Sequence, residues 1–220
     1  MKRYDRVFLI LAGLFLTCLL LANVLVFKFF DFHLPLIGTI TLSVGILPYP
    51  ITFLATDLIS EIYGKKRANF LVYLGFFLSI LMLLILQLGK AVPVSHLQGP
   101  EIQEHYLAVF GQTTRAVFAS MLAYLVAQLL DIKLFHFWKN LTKGKHLWLR
   151  NNGSTMVSQL VDTIAVVTIL FAGVWENKAI VHVIISSYCF KLLIALFDTP
   201  LFYVGVHFLK DLERETQNNE

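Results

Sequence analysis

The sequence predicts an all-α, polytopic membrane protein of six transmembrane helices with both ends in the cytoplasm. Three observations carry that reading. Of the 220 residues, 57% are hydrophobic and only 15% charged, against about 45–50% and about 25% in a soluble domain, and the mean hydropathy is +0.72. So much apolar surface has no single core to enter, so lipid is its solvent. The apolar residues also fall into stretches of roughly the 20 residues needed to cross about 30 Å of hydrocarbon at 1.5 Å per residue. The basic residues, finally, gather in alternate connecting segments.

The first stretch runs from Val7 to about Phe30, behind Lys2, Arg3 and Arg6. It is longer than a signal-peptide core and no small-x-small cleavage site follows, so it is expected to remain as a membrane helix. The second runs from about Leu34 to Ile62, broken at Pro48-Tyr49-Pro50. The others cover about Asn69 to Leu88, Thr113 to Phe137, Ser154 to Trp175 and Ile180 to Leu209. Strands are not expected, because lipid admits only helices and closed barrels and no period-2 alternation is read. The loop Gly89–Gln112, with Pro93, Pro100, Glu101 and Glu104, is expected to hold a short amphipathic segment. Arg150-Asn151-Asn152-Gly153-Ser154 reads as the approach to the fifth helix, with Ser154 as N-cap. The tail from Asp211 is polar and expected to fray. Residues 1–220 are expected to form one integral membrane domain.

Lysine and arginine placement sets the orientation. With the N-terminus inside, the inner segments hold Lys2, Arg3, Arg6, Lys65, Lys66, Arg67, Lys139, Lys143, Lys145, Arg150, Lys210 and Arg214, against Lys28, Lys90, Arg115 and Lys178 outside. That bias is the positive-inside signal. It makes the net charge of +4 a topology feature rather than a nucleic-acid footprint, and no nucleic-acid partner is expected. Cys18 and Cys189 stand in apolar stretches and read as small hydrophobes. His136 and His146 lack metal-ligand spacing, and neither a metal nor a cofactor is expected.

The informative residues are polar ones inside the spans. Asp57 and Glu61 stand four apart, Gln128 and Asp131 three apart, and Gln159 and Asp162 three apart, while Asn23, Lys191 and Asp198 lie in other spans. A mid-bilayer Asp or Lys costs roughly 2.5–3.5 kcal/mol, so these side chains face the bundle interior or a wet cavity. Ser120, Tyr124, Gln128 and Asp131 fall on one helix face, as do Thr155, Gln159 and Asp162. The two Gln-x-x-Asp pairs come at similar depth on antiparallel neighbours, which predicts one shared cavity and weak internal symmetry. The plainer reading is interhelical glue. The proline break is either a kink or a broken helix whose freed carbonyls border a cavity.

The sequence resembles the queuosine precursor transporter family, once filed as vitamin uptake proteins. The resemblance rests on Asn23 with Lys28, Pro48 and Pro50, Asp57-x-x-x-Glu61-x-Tyr63-Gly64, Ser158-Gln159-x-x-Asp162-Thr163, and Thr199-Pro200 after Lys191. It implies import of 7-deazaguanine bases by a secondary or facilitated mechanism in a bacterial inner membrane. It also implies a six-helix fold similar to the substrate-binding subunits of energy-coupling-factor transporters. The expected partners are the small-molecule base and the lipid bilayer, and a homodimer is left open by the sequence. Ala12 is followed four on by Leu16 and Ala22 by Val26; the partner-binding Ala-x-x-x-Ala face of those subunits is not there, which favours a stand-alone transporter. A carboxylate can accept the paired N–H groups of a guanine-like edge, a Gln amide or Lys191 can donate to its O6, and Tyr124, Tyr63 and Phe53 can stack. The candidate substrate-binding set is therefore Asn23, Asp57, Glu61, Tyr124, Gln128, Asp131, Gln159, Asp162, Lys191 and Asp198. Two rival classes remain at this point, an intramembrane enzyme using the buried acids and a ligand-free scaffold subunit.

Overall fold

The computed structural model describes residues 3–26, 28–34, 38–99, 101–111 and 114–218. Seven helices are described: α1 (Arg3–Leu25), α2 (Tyr49–Ile62), α3 (Gly64–Ala91), α4 (Glu101–Phe110), α5 (Thr114–Leu141), α6 (Leu147–Phe171) and α7 (Asn177–Asn218). A hairpin of β1 (Phe29–Leu34) and β2 (Gly38–Ser43) and a short 3-10 turn (Val44–Ile46) join α1 to α2. Helices α1, α3, α6 and most of α5 and α7 are long and apolar enough to cross a membrane. The protein is a multi-pass, overwhelmingly helical membrane protein.

The distribution of side chains identifies lipid as the solvent. On α3, Phe70, Phe77, Leu81, Leu84 and Leu88 are exposed, while Ala68, Leu71, Val72, Gly75 and Ser79 are buried. Over residues 151–164 of α6 the inversion is plain: Met156, Val157, Leu160 and Ile164 face out, and Asn151, Thr155, Ser158, Gln159 and Asp162 face in. Water would reverse that pattern; hydrocarbon enforces it, because each polar group on the lipid side costs several kcal/mol.

The expected second span is corrected. In place of one broken helix over 34–62, the chain makes strand β2, the 3-10 turn and then α2, whose 14 residues rise only about 21 Å. The absence of strands is corrected with it. β1 and β2 pair antiparallel, Phe30 opposite Leu42 and Phe32 opposite Ile40. Leu42 is fully buried against Phe30, Ile46 and Phe190. The outward side is polar, with Thr41 Oγ1 donating to Asp31 Oδ1 at 2.8 Å and Thr39 bonded to His33 Nδ1 at 2.6 Å. That alternation, Thr39-Ile40-Thr41-Leu42-Ser43, is the period-2 signal of a half-buried strand. Gly45 then lets the 3-10 turn lie on α1, since a Cβ there would meet Ala22 O at 2.7 Å.

Two further boundaries move. α6 begins at Leu147, so Ser154 is not its N-cap; it lies buried in the helix and bonds Asn151 O at 3.2 Å. α7 continues to Asn218 rather than fraying at Asp211. The amphipathic segment expected in the long loop is α4. Gln112 and Thr113, Pro100, and the side chains of Arg115 and Ser120 lie outside the described residues.

One face of the bundle collects the start of α1, the α2–α3 corner, the end of α5, the start of α6 and Lys210 of α7. Tyr4 donates to Ile62 O at 3.1 Å and Tyr63 to Tyr4 O at 2.9 Å, and Gly64 takes the corner at φ +82°. The hairpin lies at the opposite face, where Phe29 packs on Phe171 and Trp175. Between these faces the interior is an axis of polar residues on α2, α5, α6 and α7.

Candidate functional site

Three tiers of charge are stacked along that axis. The lowest is built on Glu61, whose side chain is only 3% exposed although three cations converge on it. Arg150 Nη2 lies 2.7 Å from Oε1, Lys139 Nζ 2.8 Å from Oε2, and Lys210 Nζ 3.2 Å from Oε1. The Arg150 guanidinium also donates to Gly144 O at 3.0 Å and lies over the Phe135 ring. One carboxylate of α2 thus ties α5, α6 and α7 together at the basic face.

One turn deeper on α2 stands Asp57, 3% exposed, beside Asp131 of α5 at 0%. Asp57 Oδ1 and Asp131 Oδ2 are both buried and meet no donor among the described residues, and the two acids are neighbours across α2 and α5. Ser158 donates to Asp131 Oδ1 at 2.8 Å, with the Ser154 and Thr155 hydroxyls alongside. Asp198 of α7 is the next acid, across a cavity from Asp57.

The upper tier joins three elements. Asp162 Oδ2 accepts from Tyr49 Oη at 2.8 Å and from Lys191 Nζ at 2.9 Å. Lys191 also donates to Thr163 Oγ1 at 3.1 Å, and its ammonium sits 4.4 Å from the centre of the Tyr49 ring. Tyr49 is placed here because α2 starts at mid-bundle, with Pro50 in its first turn, where no N–H is needed. The ion pair offsets the cost of an isolated lysine or aspartate at this depth.

Tyr49 and Lys191 separate two cavities and border both. The inner one, about 30 Å³, is lined by Asp57, Asn151, Thr155, Gln159 and Asp198 below an apolar wall. The outer one, about 100 Å³, opens toward the hairpin side and is lined by Asn23, Ser43, Tyr124, Asp162, Thr163 and Ser187. At roughly 10–15 Å³ per water, it has room for several. Asp162 and Tyr124 line this cavity, and Asp162 Oδ1 and Tyr124 Oη are buried without a partner among the described residues. Asn23 Nδ2 is held by Ser79 Oγ at 3.2 Å.

The residues proposed from sequence are therefore divided. Asn23, Tyr124, Asp162 and Lys191 border the outer cavity, and Asp57, Gln159 and Asp198 the inner one. Gln128 and Asp131 are buried between helices and line neither; the two Gln-x-x-Asp pairs face each other through Ser158 and Asp131 but do not share one cavity. Glu61 lies below both cavities in the ion network. Two further functional residues are Tyr49, which in the sequence is only part of a proline break, and Arg150, which there fits the positive-inside pattern. The signal for Tyr49 is its position two turns before Asp57 on the same helix. Among the described residues no group of three or more His, Cys, Asp or Glu side chains is placed to hold a metal ion.

Residues 43–205 match the family model described as "Putative vitamin uptake transporter". A Bacillus subtilis protein named "Probable queuosine precursor transporter" is 30% identical over 179 residues, covering 80% of this chain and 77% of its own. The Escherichia coli "Queuosine precursor transporter" is 28% identical over 174 residues, 75% and 73% of the two chains. A Haemophilus influenzae protein named "Probable queuosine precursor transporter" is 30% identical over 161 residues, 69% and 63% of the two. No solved structure matches the chain.

Proposed function

This chain belongs to the queuosine precursor transporter family, and on that premise we propose that it imports a 7-deazaguanine base, the nitrile or aminomethyl form, across a bacterial inner membrane. The observation that carries this reading is the Tyr49–Asp162–Lys191 constellation between two polar-lined cavities. A transporter needs a site reachable from either side and never from both at once, and a septum of three bonded side chains at mid-depth meets that need. The base enters the outer cavity and presents a ring N–H or exocyclic amino group to Asp162 Oδ1. Tyr124 Oη donates to its O6, and the Tyr49 ring offers a stacking face. A cationic aminomethyl group is drawn to the carboxylates of the inner cavity, Asp57 and Asp198.

The basic face is the cytoplasmic one on this reading, with both termini inside. Reporter fusions at residue 220 and near residue 97 are expected to report inside and outside respectively; one side for both would remove the orientation.

The function is tested by uptake of labelled 7-deazaguanine bases into cells that cannot make them, with and without this chain. Accumulation that depends on the chain is the expected result. Equal label in both strains would sink the proposal. Asp162→Asn is expected to weaken apparent affinity by about 1–3 kcal/mol, the value of one base-edge contact.

A further inference from the structure

The carboxyl groups of Asp57 and Asp131 pose a problem that substrate binding does not solve. Both acids are buried, at 3% and 0% exposed, and each keeps one oxygen with no donor among the described residues. A carboxylate has no donor of its own, so neighbouring acids in that state satisfy each other only when a proton stands between them. The cations of the axis are committed elsewhere: Lys191 to Asp162, and Arg150, Lys139 and Lys210 to Glu61. What faces the pair is Asp198 from α7, the Ser154, Thr155 and Ser158 hydroxyls from α6, and Glu61 one turn along α2. From α1 and α3, the apolar cluster of Phe15, Leu19, Leu71 and Val72 packs against α2 and α5. Two bare charges in such surroundings would repel strongly.

A second observation points the same way. Tyr124, Gln128 and Asp131 follow one face of α5 at steps of four and three residues. Tyr124 lines the outer cavity. The Tyr124 hydroxyl and both polar atoms of the Gln128 amide are buried with no partner among the described residues. Orphaned polar atoms of that kind are uncommon in a folded interior. They form a polar line from the outer cavity to Asp131, and from there Asp57 opens onto the inner cavity, where Gln159 Oε1 is likewise unpartnered. This line runs beside the Tyr49–Asp162–Lys191 septum, not through it.

We propose that the Asp57–Asp131 pair is a proton-binding site and that the base is imported together with a proton. In the closed, dry arrangement the pair holds one proton. When the inner cavity opens, water solvates both carboxylates and the proton leaves through Asp57 to the cytoplasmic side; it is replaced from the outer cavity through water that enters beside the unpartnered Tyr124 hydroxyl and Gln128 amide. Proton affinity then depends on which cavity is open, and linkage turns that dependence into coupling. The inference rests on the transport reading for its second half only.

Two measurements test the two halves separately. In proteoliposomes of the full chain loaded with the nitrile-bearing 7-deazaguanine base, counterflow without any gradient reports whether that base is carried. With an interior one pH unit more alkaline, one proton per base supports accumulation of up to about tenfold, collapsed by a protonophore. Counterflow with no response to the gradient overturns coupling, and absent counterflow removes the substrate reading instead. The site itself is read without substrate, by infrared spectroscopy of purified protein at neutral pH. A protonated-carboxyl C=O stretch that shifts in heavy water and is missing from the Asp57→Asn/Asp131→Asn double variant is expected. A wild-type spectrum identical to that of the double variant in this band would overturn the proton site whatever the transport assay shows.

Discussion

Asp57 and Glu61 sit four residues apart on one face of α2, each side chain about 3% exposed, and their surroundings are opposite. Glu61 has more partners than it needs: both oxygens are taken, by three cations from three helices. Asp57 has one oxygen without a donor and another acid for a neighbour. The difference separates a carboxylate that fastens helices from one that holds something exchangeable. A structural ion is satisfied by the fold alone, whereas a binding group keeps capacity in reserve.

The largest effect expected from that contrast is at Glu61. Glu61→Gln leaves Arg150, itself 3% exposed, as an uncompensated buried cation, which costs about 3–5 kcal/mol. Thermal unfolding in detergent should show it. Its outer partners matter far less: Lys139 and Lys210 are 31% and 46% exposed, and either one changed to Met should cost no more than about 1 kcal/mol. A Lys210→Met variant as unstable as Glu61→Gln would break the picture of Arg150 as the principal partner.

Next comes the upper tier. Lys191→Met strands Asp162, 2% exposed, and should lower stability by about 3 kcal/mol or more while abolishing uptake. Lys191→Met/Asp162→Asn should regain most of the stability and none of the uptake, because the charge imbalance is gone but the Lys191–Asp162 pair that closes the septum and the carboxylate that receives the base are both missing. Equal unfolding temperatures for the single and double variants would show that Lys191 acts by packing.

Asp57→Asn is expected to fall well below either. The amide can donate to Asp131, so the contact survives, and stability should change by no more than about 1 kcal/mol. Accumulation against a gradient should nevertheless disappear. Loss of stability on the scale of Glu61→Gln would erase the distinction between the two acids.

Much of this contrast could not be read from residue spacing. Asp57 and Glu61 share a helical face, and the sequence therefore placed both in one binding set; that the face passes from a cavity into a basic cluster depends on Lys139 and Arg150, seventy-eight and eighty-nine residues away. Those two looked like ordinary positive-inside anchors. The long helices were legible because lipid leaves the backbone little choice. The hairpin was not, because its alternation spans only five residues, Thr39 to Ser43, inside an apolar stretch long enough to pass for half a span. The first seven residues of α6, 147–153, are hidden for a related reason. Arg150, Asn151 and Asn152 have loop composition but are buried, and composition does not distinguish water outside the membrane from a polar interior within it.

The smallest expected effect is the sharpest probe of the septum. Tyr49→Phe removes one hydroxyl, the donor to Asp162 Oδ2 at 2.8 Å, and keeps the ring under the Lys191 ammonium at 4.4 Å. Asp162 Oδ2 retains Lys191, so no charge is stranded and stability should fall by only about 1 kcal/mol. If the hydroxyl merely glues α2 to α6, transport should be unchanged once expression is matched. If it closes the septum, the septum opens more readily in Tyr49→Phe. Counterflow should then quicken while gradient-driven accumulation falls, since a looser septum lets the base return without its proton. The two quantities move in opposite directions only for a gate. Equal counterflow and equal accumulation in Tyr49→Phe and wild type would assign the closing role to the Lys191–Asp162 pair alone, and leave Tyr49 as a stacking surface.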